Sequence, residues 1–258
     1  MTDFLPLILI ILLGFLGGAL VNFTVDWFYI RRKFLPPECE AAIKEIGWIR
    51  YFLWPWNVKT CSLSQRIRIW LVEILFIVCA IWLWFSPPQK VEFGWGFGLL
   101  VYFAIVVVMD LEFRVVLHPV SIIGGVIGLV FGIWSWGFMD AFIGGIAGFG
   151  FMYVFYKFGE IFIRWMSKRR GQEIDEPALG FGDVNMAGVV GLMLGWPRIV
   201  LGLLVAIIAG GVVSILYMVI MAVLGRLKAF SAIPYAPFLI FGAFILLYFR
   251  VFLVGVVN

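Results

Sequence analysis

The stretch GWGFGLLVYFAIVVVMD, residues 94–110, runs sixteen residues without a charge and then ends on an aspartate. Runs of about 17–25 apolar residues are what a helix rising 1.5 Å per residue needs to cross a hydrocarbon core of roughly 30 Å. Comparable runs recur along the whole chain of 258 residues, which is 64% apolar and only 13% charged. Its mean hydropathy is +1.10, far from the composition of a soluble domain. The expectation is an all-α polytopic membrane protein, because a membrane-spanning barrel would need shorter segments of alternating character.

Eight spans are expected, at 4–27, 67–85, 94–110, 119–136, 139–163, 183–197, 198–224 and 233–254. No Lys or Arg precedes the first segment, and Arg31-Arg32-Lys33 follow it, the reverse of a secretory signal peptide, so it is expected to remain as an anchor. With the N-terminus outside, fifteen of the nineteen Lys and Arg residues fall on the inner side. That excess follows the positive-inside rule and predicts both termini outside. The basic residues flank apolar segments, where they act as orientation signals and contacts to anionic lipid; no soluble domain is present that could bind nucleic acid. The two longer cytoplasmic loops are 31–66 and 164–182, and the first, with Pro36-Pro37, Trp48 and Trp54-Pro55-Trp56, reads as a small subdomain lying against the headgroups. The three cysteines, Cys39, Cys61 and Cys79, imply no disulfide framework.

Two acids stand where a bilayer disfavours them: Asp110, and Asp183 in Gly180-Phe181-Gly182-Asp183. An aspartate at the bilayer centre costs roughly 2.5–3.5 kcal/mol on insertion scales, so acids at span ends invite a functional explanation. Asp110 closes a span running inward and Asp183 opens one running outward, which puts both at the same depth near the cytoplasmic face. Two carboxyls that meet there share a proton, and the pair can serve as base and acid at once. The ionised member activates a water for attack on a peptide carbonyl, and the protonated member supports the oxyanion. Gly180 and Gly182 would let the backbone leave helical geometry and let an extended substrate approach.

These residues carry a family resemblance. Gly180-Phe181-Gly182-Asp183 resembles the signature of the membrane aspartyl peptidases, and the wider pattern resembles their type IV prepilin peptidase branch. Asp110-Leu111-Glu112-Phe113-Arg114-Val115-Val116-Leu117-His118-Pro119 resembles the first catalytic segment of that branch. Gly18-Ala19-Leu20-Val21-Asn22, Leu71-Val72-Glu73-Ile74-Leu75 and Ile233-Pro234-Tyr235-Ala236-Pro237-Phe238 resemble further blocks, in family order. The resemblance implies one transmembrane peptidase domain over 1–258, Asp110 and Asp183 as the catalytic pair, and Gly180 and Gly182 as backbone support. It also implies a prepilin or pseudopilin-like substrate cut on the cytoplasmic side of a bacterial or archaeal plasma membrane.

The chain departs from the family at several places. Asn185 stands where relatives often have lysine, and the proline of the first segment falls one place late, after His118. Many relatives hold zinc with two Cys-x-x-Cys pairs in the first loop and methylate the new N-terminus with S-adenosylmethionine. Here each pair is reduced to one cysteine, Cys39 and Cys61, so no zinc and no metal is expected. Proteolysis is expected to need no cofactor, and S-adenosylmethionine would enter only where methyl transfer is retained. Glu45 and Glu73 resemble acidic family positions. His118, the single histidine, reads as an interfacial residue near the pair, and Asp26, Asp140 and Glu160 as interfacial or packing acids. Two other readings stay open: an intramembrane protease resembling presenilin or signal peptide peptidase, for which Pro177-Ala178-Leu179 is misplaced, and a transporter using acidic relay residues.

Overall fold

The computed structural model describes residues 4–53, 61–88, 91–170, 179–225 and 234–249. Ten helices and no strand occur among the described residues: α1 (Phe4–Arg31), α2 (Pro37–Ile46), α3 (Trp48–Leu53), α4 (Leu63–Phe85), α5 (Phe93–Phe113), α6 (His118–Trp136), α7 (Phe138–Arg170), α8 (Phe181–Leu194), α9 (Arg198–Val223) and α10 (Ala236–Tyr248). Trp54-Pro55-Trp56, Pro177-Ala178 and Ile233 lie outside the described residues. The all-α membrane class expected from composition is the class observed, and each of the eight expected spans coincides with an apolar helix. Six of these helices are long and apolar enough to cross a bilayer. The other two, α8 and α10, have 14 and 13 residues, so each rises only about 20 Å.

Contacts gather in two compact units, Met1–Val108 and Met109–Asn258. In the first unit α1 packs on α4 so closely that a Cβ at Gly14 would lie 2.7 Å from the Ile77 Cα. Small residues at such crossings are how membrane helices gain dispersion contacts in the absence of a hydrophobic driving force. The loop 31–66 contains the two short helices α2 and α3, which bury Cys39, Ile43 and Tyr51. Asp26, read from sequence as an interfacial or packing acid, is buried and ion-paired: Arg68 donates to its carboxylate oxygens at 2.7 and 2.8 Å, and the Tyr51 hydroxyl donates to it as well. The Asn22 amide nitrogen donates to the Ile69 carbonyl at 3.3 Å and to Glu73 Oε1 at 3.4 Å.

One correction concerns the cysteines. The structure joins Cys39 and Cys61 in a disulfide across 22 residues, with Cα atoms 4.8 Å apart. Counting cysteines in the sequence gave no reason to pair these two. Their proximity arises because Cys39 sits on the buried face of α2 and Cys61 immediately precedes the capping box of Ser62 and Gln65 that starts α4.

In the second unit α8 is the central element, packed by α6, α7, α9 and α10. Glycines set these distances. A Cβ at Gly132 on α6 would lie 2.1 Å from the Leu192 carbonyl oxygen, and one at Gly148 on α7 would lie 2.3 Å from that of Ala187. The same close approach joins α9 and α10, where a Cβ at Gly242 would meet the Gly202 carbonyl oxygen at 2.3 Å. At the far end of α8, the Trp136 indole Nε1 donates to the Met193 carbonyl at 2.9 Å and the Arg198 guanidinium stacks on the Trp136 ring at 3.8 Å.

Candidate active site

Asp110 lies in the last turn of α5, and the turn closes behind it. The Arg114 amide donates to the Asp110 carbonyl at 2.9 Å, with Arg114 itself at φ 53°. A left-handed residue after a helix is a common way to stop it, and here it turns the chain into the connection that leads to α6. That connection ends at His118-Pro119, where proline suits the first turn of a helix because no intrahelical partner exists for its missing N–H. The Asp110 side chain is 4% exposed.

Asp183 belongs to the first turn of α8, where its amide donates to the Gly180 carbonyl at 3.1 Å. A carboxylate in a first helical turn is favoured by the helix dipole. Gly180 has φ −74° and ψ 142°, extended geometry that any residue adopts, so conformational freedom is not what this glycine supplies. Its effect is spatial: a Cβ there would stand 3.4 Å from Asp183 Oδ2. At Gly182 a Cβ would lie 3.2 Å from the Val116 Cβ, tighter than ordinary contact, so this glycine lets the α5–α6 connection run against the start of α8.

The third contributor is the start of α10. The Ala236 amide donates to Asp110 Oδ2 at 3.2 Å and is also within hydrogen-bonding reach of the Asp183 carboxylate. Asp110 is close enough to Asp183 for its charge to act on it, and the Gly180 amide lies in hydrogen-bonding reach of Asp183 too. The Tyr235 ring lies within electrostatic reach of Asp183, and the Arg114 guanidinium within reach of Asp110. Two acids on different helices therefore converge on one backbone amide, Asp110 buried and Asp183 half-buried. The sequence singled out Ile233 to Phe238 only as a block with a family look. That the first amide of α10 faces both acids had no signal in the chain beyond Pro237, which suits a helix start.

The other sequence candidates lie apart from this cluster. His118 is exposed at the start of α6, and Asn185 faces a groove with it. Glu160 pairs with Lys157 at 3.0 Å on the surface of α7, and the Asp140 carbonyl accepts from the Trp196 amide at 2.8 Å. Among the described residues no group of three or more His, Cys, Asp or Glu gathers as a metal site. The cysteines of the first loop do not fit a four-thiolate zinc centre, since there are two and they are bonded to each other.

Residues 97–215 match the model of the type IV leader peptidase family, a segment that holds both Asp110 and Asp183. The chain is also similar to a prepilin leader peptidase/N-methyltransferase from Pectobacterium carotovorum subsp. carotovorum, 28% identical over 192 residues. That alignment covers 70% of this chain and 63% of the relative, so the chain spans somewhat under two thirds of the relative's length. No solved structure matches the chain. Both matches support the resemblance to type IV prepilin peptidases carried by the Asp110 and Gly180–Asp183 segments.

Proposed function

With the type IV leader peptidase match over residues 97–215 as premise, we propose that this chain is a membrane aspartyl endopeptidase that removes the N-terminal leader of type IV prepilin-like or pseudopilin-like precursors. The observation that carries the reading is the convergence of Asp110 and Asp183, seventy-three residues apart in sequence, on the Ala236 amide. The family matched is one of leader peptidases, which favours cleavage of a leader over cleavage within a transmembrane segment.

In this mechanism the two carboxyls hold one proton between them and bind a water. The ionised member takes a proton from that water as its oxygen bonds to the carbonyl carbon of the scissile peptide. The protonated member donates a hydrogen bond to the developing oxyanion. Collapse of the tetrahedral intermediate breaks the C–N bond, and a proton passes from the pair to the departing amine. The pair returns to its starting state with no metal and no covalent intermediate. The Ala236 amide orients the carboxyls, Gly180 keeps the space beside Asp183 clear of a side chain, and Gly182 lets the connection at Val116 pack against the start of α8. The pair faces the cytoplasm of a bacterial or archaeal cell in this reading, on the strength of the Lys and Arg distribution.

Coexpression with a type IV prepilin tests the proposal. Asp110→Asn or Asp183→Asn alone lowers processing by roughly 10²–10⁴-fold, the range for loss of a positioned acid or base. A variant that cleaves at the normal rate removes that residue from the mechanism. The relative's name also carries N-methyltransferase. The mechanism above routes no step through S-adenosylmethionine, and the mass of the processed N-terminus reports whether a methyl group has been added.

A further inference from the structure

Phe181, the one residue with a side chain between Gly180 and Asp183, sits at the first position of α8. Its ring meets two rings of α7 edge-on: Phe149 at 6.4 Å between centroids and 86° between planes, and Tyr156 at 5.7 Å and 75°. Near-perpendicular packing is an arrangement that aromatic quadrupoles favour, since the positive edge of one ring faces the negative face of the next. Two such contacts fix both the place and the tilt of the Phe181 ring.

The wall that receives Phe181 follows from spacing on α7. Phe149, Tyr153, Tyr156 and Glu160 recur at steps of four, three and four residues, which sets them on one face of a helix. Phe149 stacks on Tyr153 at 6.1 Å, and Tyr153 on Tyr156 at 6.4 Å. Phe149 is fixed at its root, since an added Cβ on Gly188 of α8 would lie 3.2 Å from the Phe149 Cβ. Tyr156 is held at its tip, where its hydroxyl lies in hydrogen-bonding reach of Glu160. Lys157 Nζ pairs with Glu160 at 3.0 Å and lies 5.3 Å from the Tyr156 ring centroid. The Lys157–Glu160 pair thus fastens a ring that packs on the start of α8.

We propose that Phe181 is the positioning residue for Asp183, seated by the Phe149 and Tyr156 rings of α7, and that Glu160 serves the same end by holding Tyr156. The inference rests on the reading of Asp183 as one of the two acids that cleave the leader. Gly180 and Gly182 present no side chain to a neighbour, so of residues 180–182 only Phe181 can tie the turn to α7 by a side chain. The body of α8 is held separately, by Val184, Met186 and Ala187, each without exposed surface. Phe181 is itself 45% exposed, so its truncation opens no core cavity. Loss of its ring therefore frees the first turn while the helix stays in place, and a reacting group displaced by about 1 Å loses roughly 10²-fold in rate.

Steady-state cleavage of a type IV prepilin by the purified full chain in detergent, alongside a thermal melt, tests this. Phe181→Ala is expected to lower kcat by about 10–100-fold, with KM and the melting midpoint little changed. Tyr156→Ala is expected to lower kcat less, because Phe149 still meets Phe181, and Tyr156→Phe less again, because the ring is retained. The double variant with Phe181→Ala and Tyr156→Ala is expected to lose no more than Phe181→Ala alone, since both changes remove the same contact. A raised KM at normal kcat would make Phe181 a substrate contact and overturn the proposal, as would additive losses in the double variant. A midpoint lowered in step with activity would overturn it too, leaving Phe181 a role in packing alone. Asp183→Asn separates the two readings. If it is inactive while Phe181→Ala cleaves at the normal kcat, the positioning role fails and the role of the acid stands, whereas a fully active Asp183→Asn removes both.

Discussion

Gly148→Ala is the substitution that best probes how Asp183 is held. Gly148 on α7 faces the backbone of α8, where an added Cβ would lie 2.3 Å from the Ala187 carbonyl oxygen, against ordinary contact from 3.4 Å, a shortfall of about 1.1 Å. The neighbour is backbone, so no rotamer change relieves it. Either α7 or α8 must shift by about 1 Å, and overpacking of this kind costs roughly 1–3 kcal/mol. Ala187 is one helical turn from Asp183, so the displacement passes nearly undiminished to the carboxylate. A misplacement of about 1 Å at a reacting group lowers rate by roughly 10²-fold. The assay is kcat/KM for a prepilin leader peptide with purified protein in detergent, paired with a thermal melt. Expected are a modestly lowered midpoint and a loss of activity far larger than the loss of folded protein. Gly125→Ala on α6 is the control, since nothing lies within 4 Å of its added methyl, and it should leave both readouts unchanged. Wild-type activity and melting in Gly148→Ala would refute the claim that this backbone contact sets the position of α8.

In the first unit, Arg68→Met leaves the Asp26 carboxylate buried without its cation, a loss of roughly 3–5 kcal/mol, and adding Asp26→Leu restores much of the melting midpoint because an apolar pair of similar size needs no partner. Tyr51→Phe removes one donor to that carboxylate and should cost about 1–3 kcal/mol in the same melt. Alkylation of unfolded protein without reductant should modify Cys79 alone, and after dithiothreitol all three cysteines, as read by intact mass; labelling of Cys39 or Cys61 without reductant would exclude their bond.

Much of the fold was legible because a bilayer imposes length. Each apolar run from 94–110 to 198–224 became a helix within a few residues of its expected ends, and the extensions of α1 to Arg31 and α7 to Arg170 merely carry helix on into charged sequence. The sixth run, 183–197, is short in the sequence and forms the 14-residue α8, and the described part of the last run, 233–254, holds the 13-residue α10. The pairing of helices was not legible at all. Beyond Asp183 and Asn185 α8 is apolar on every side, so no stripe marks which face meets α6, α7, α9 or α10, and a lipid-facing leucine looks like a core leucine. Asp26 read as an isolated acid for the same reason: its partners Arg68 and Tyr51 lie on helices that only packing brings to it.

By itself the sequence determined the solvent, the spanning elements and the two acids out of place in that solvent, because hydropathy and charge are properties of single residues summed along one helix. Only the tertiary structure decided that the last turn of α5, the first turn of α8 and the start of α10 meet, so that Asp110 and Asp183 converge on the amide of Ala236. That meeting depends on backbones approaching wherever glycine omits a side chain, at Gly148, Gly182 and Gly242, and such complementarity between distant segments leaves no periodic trace in the chain.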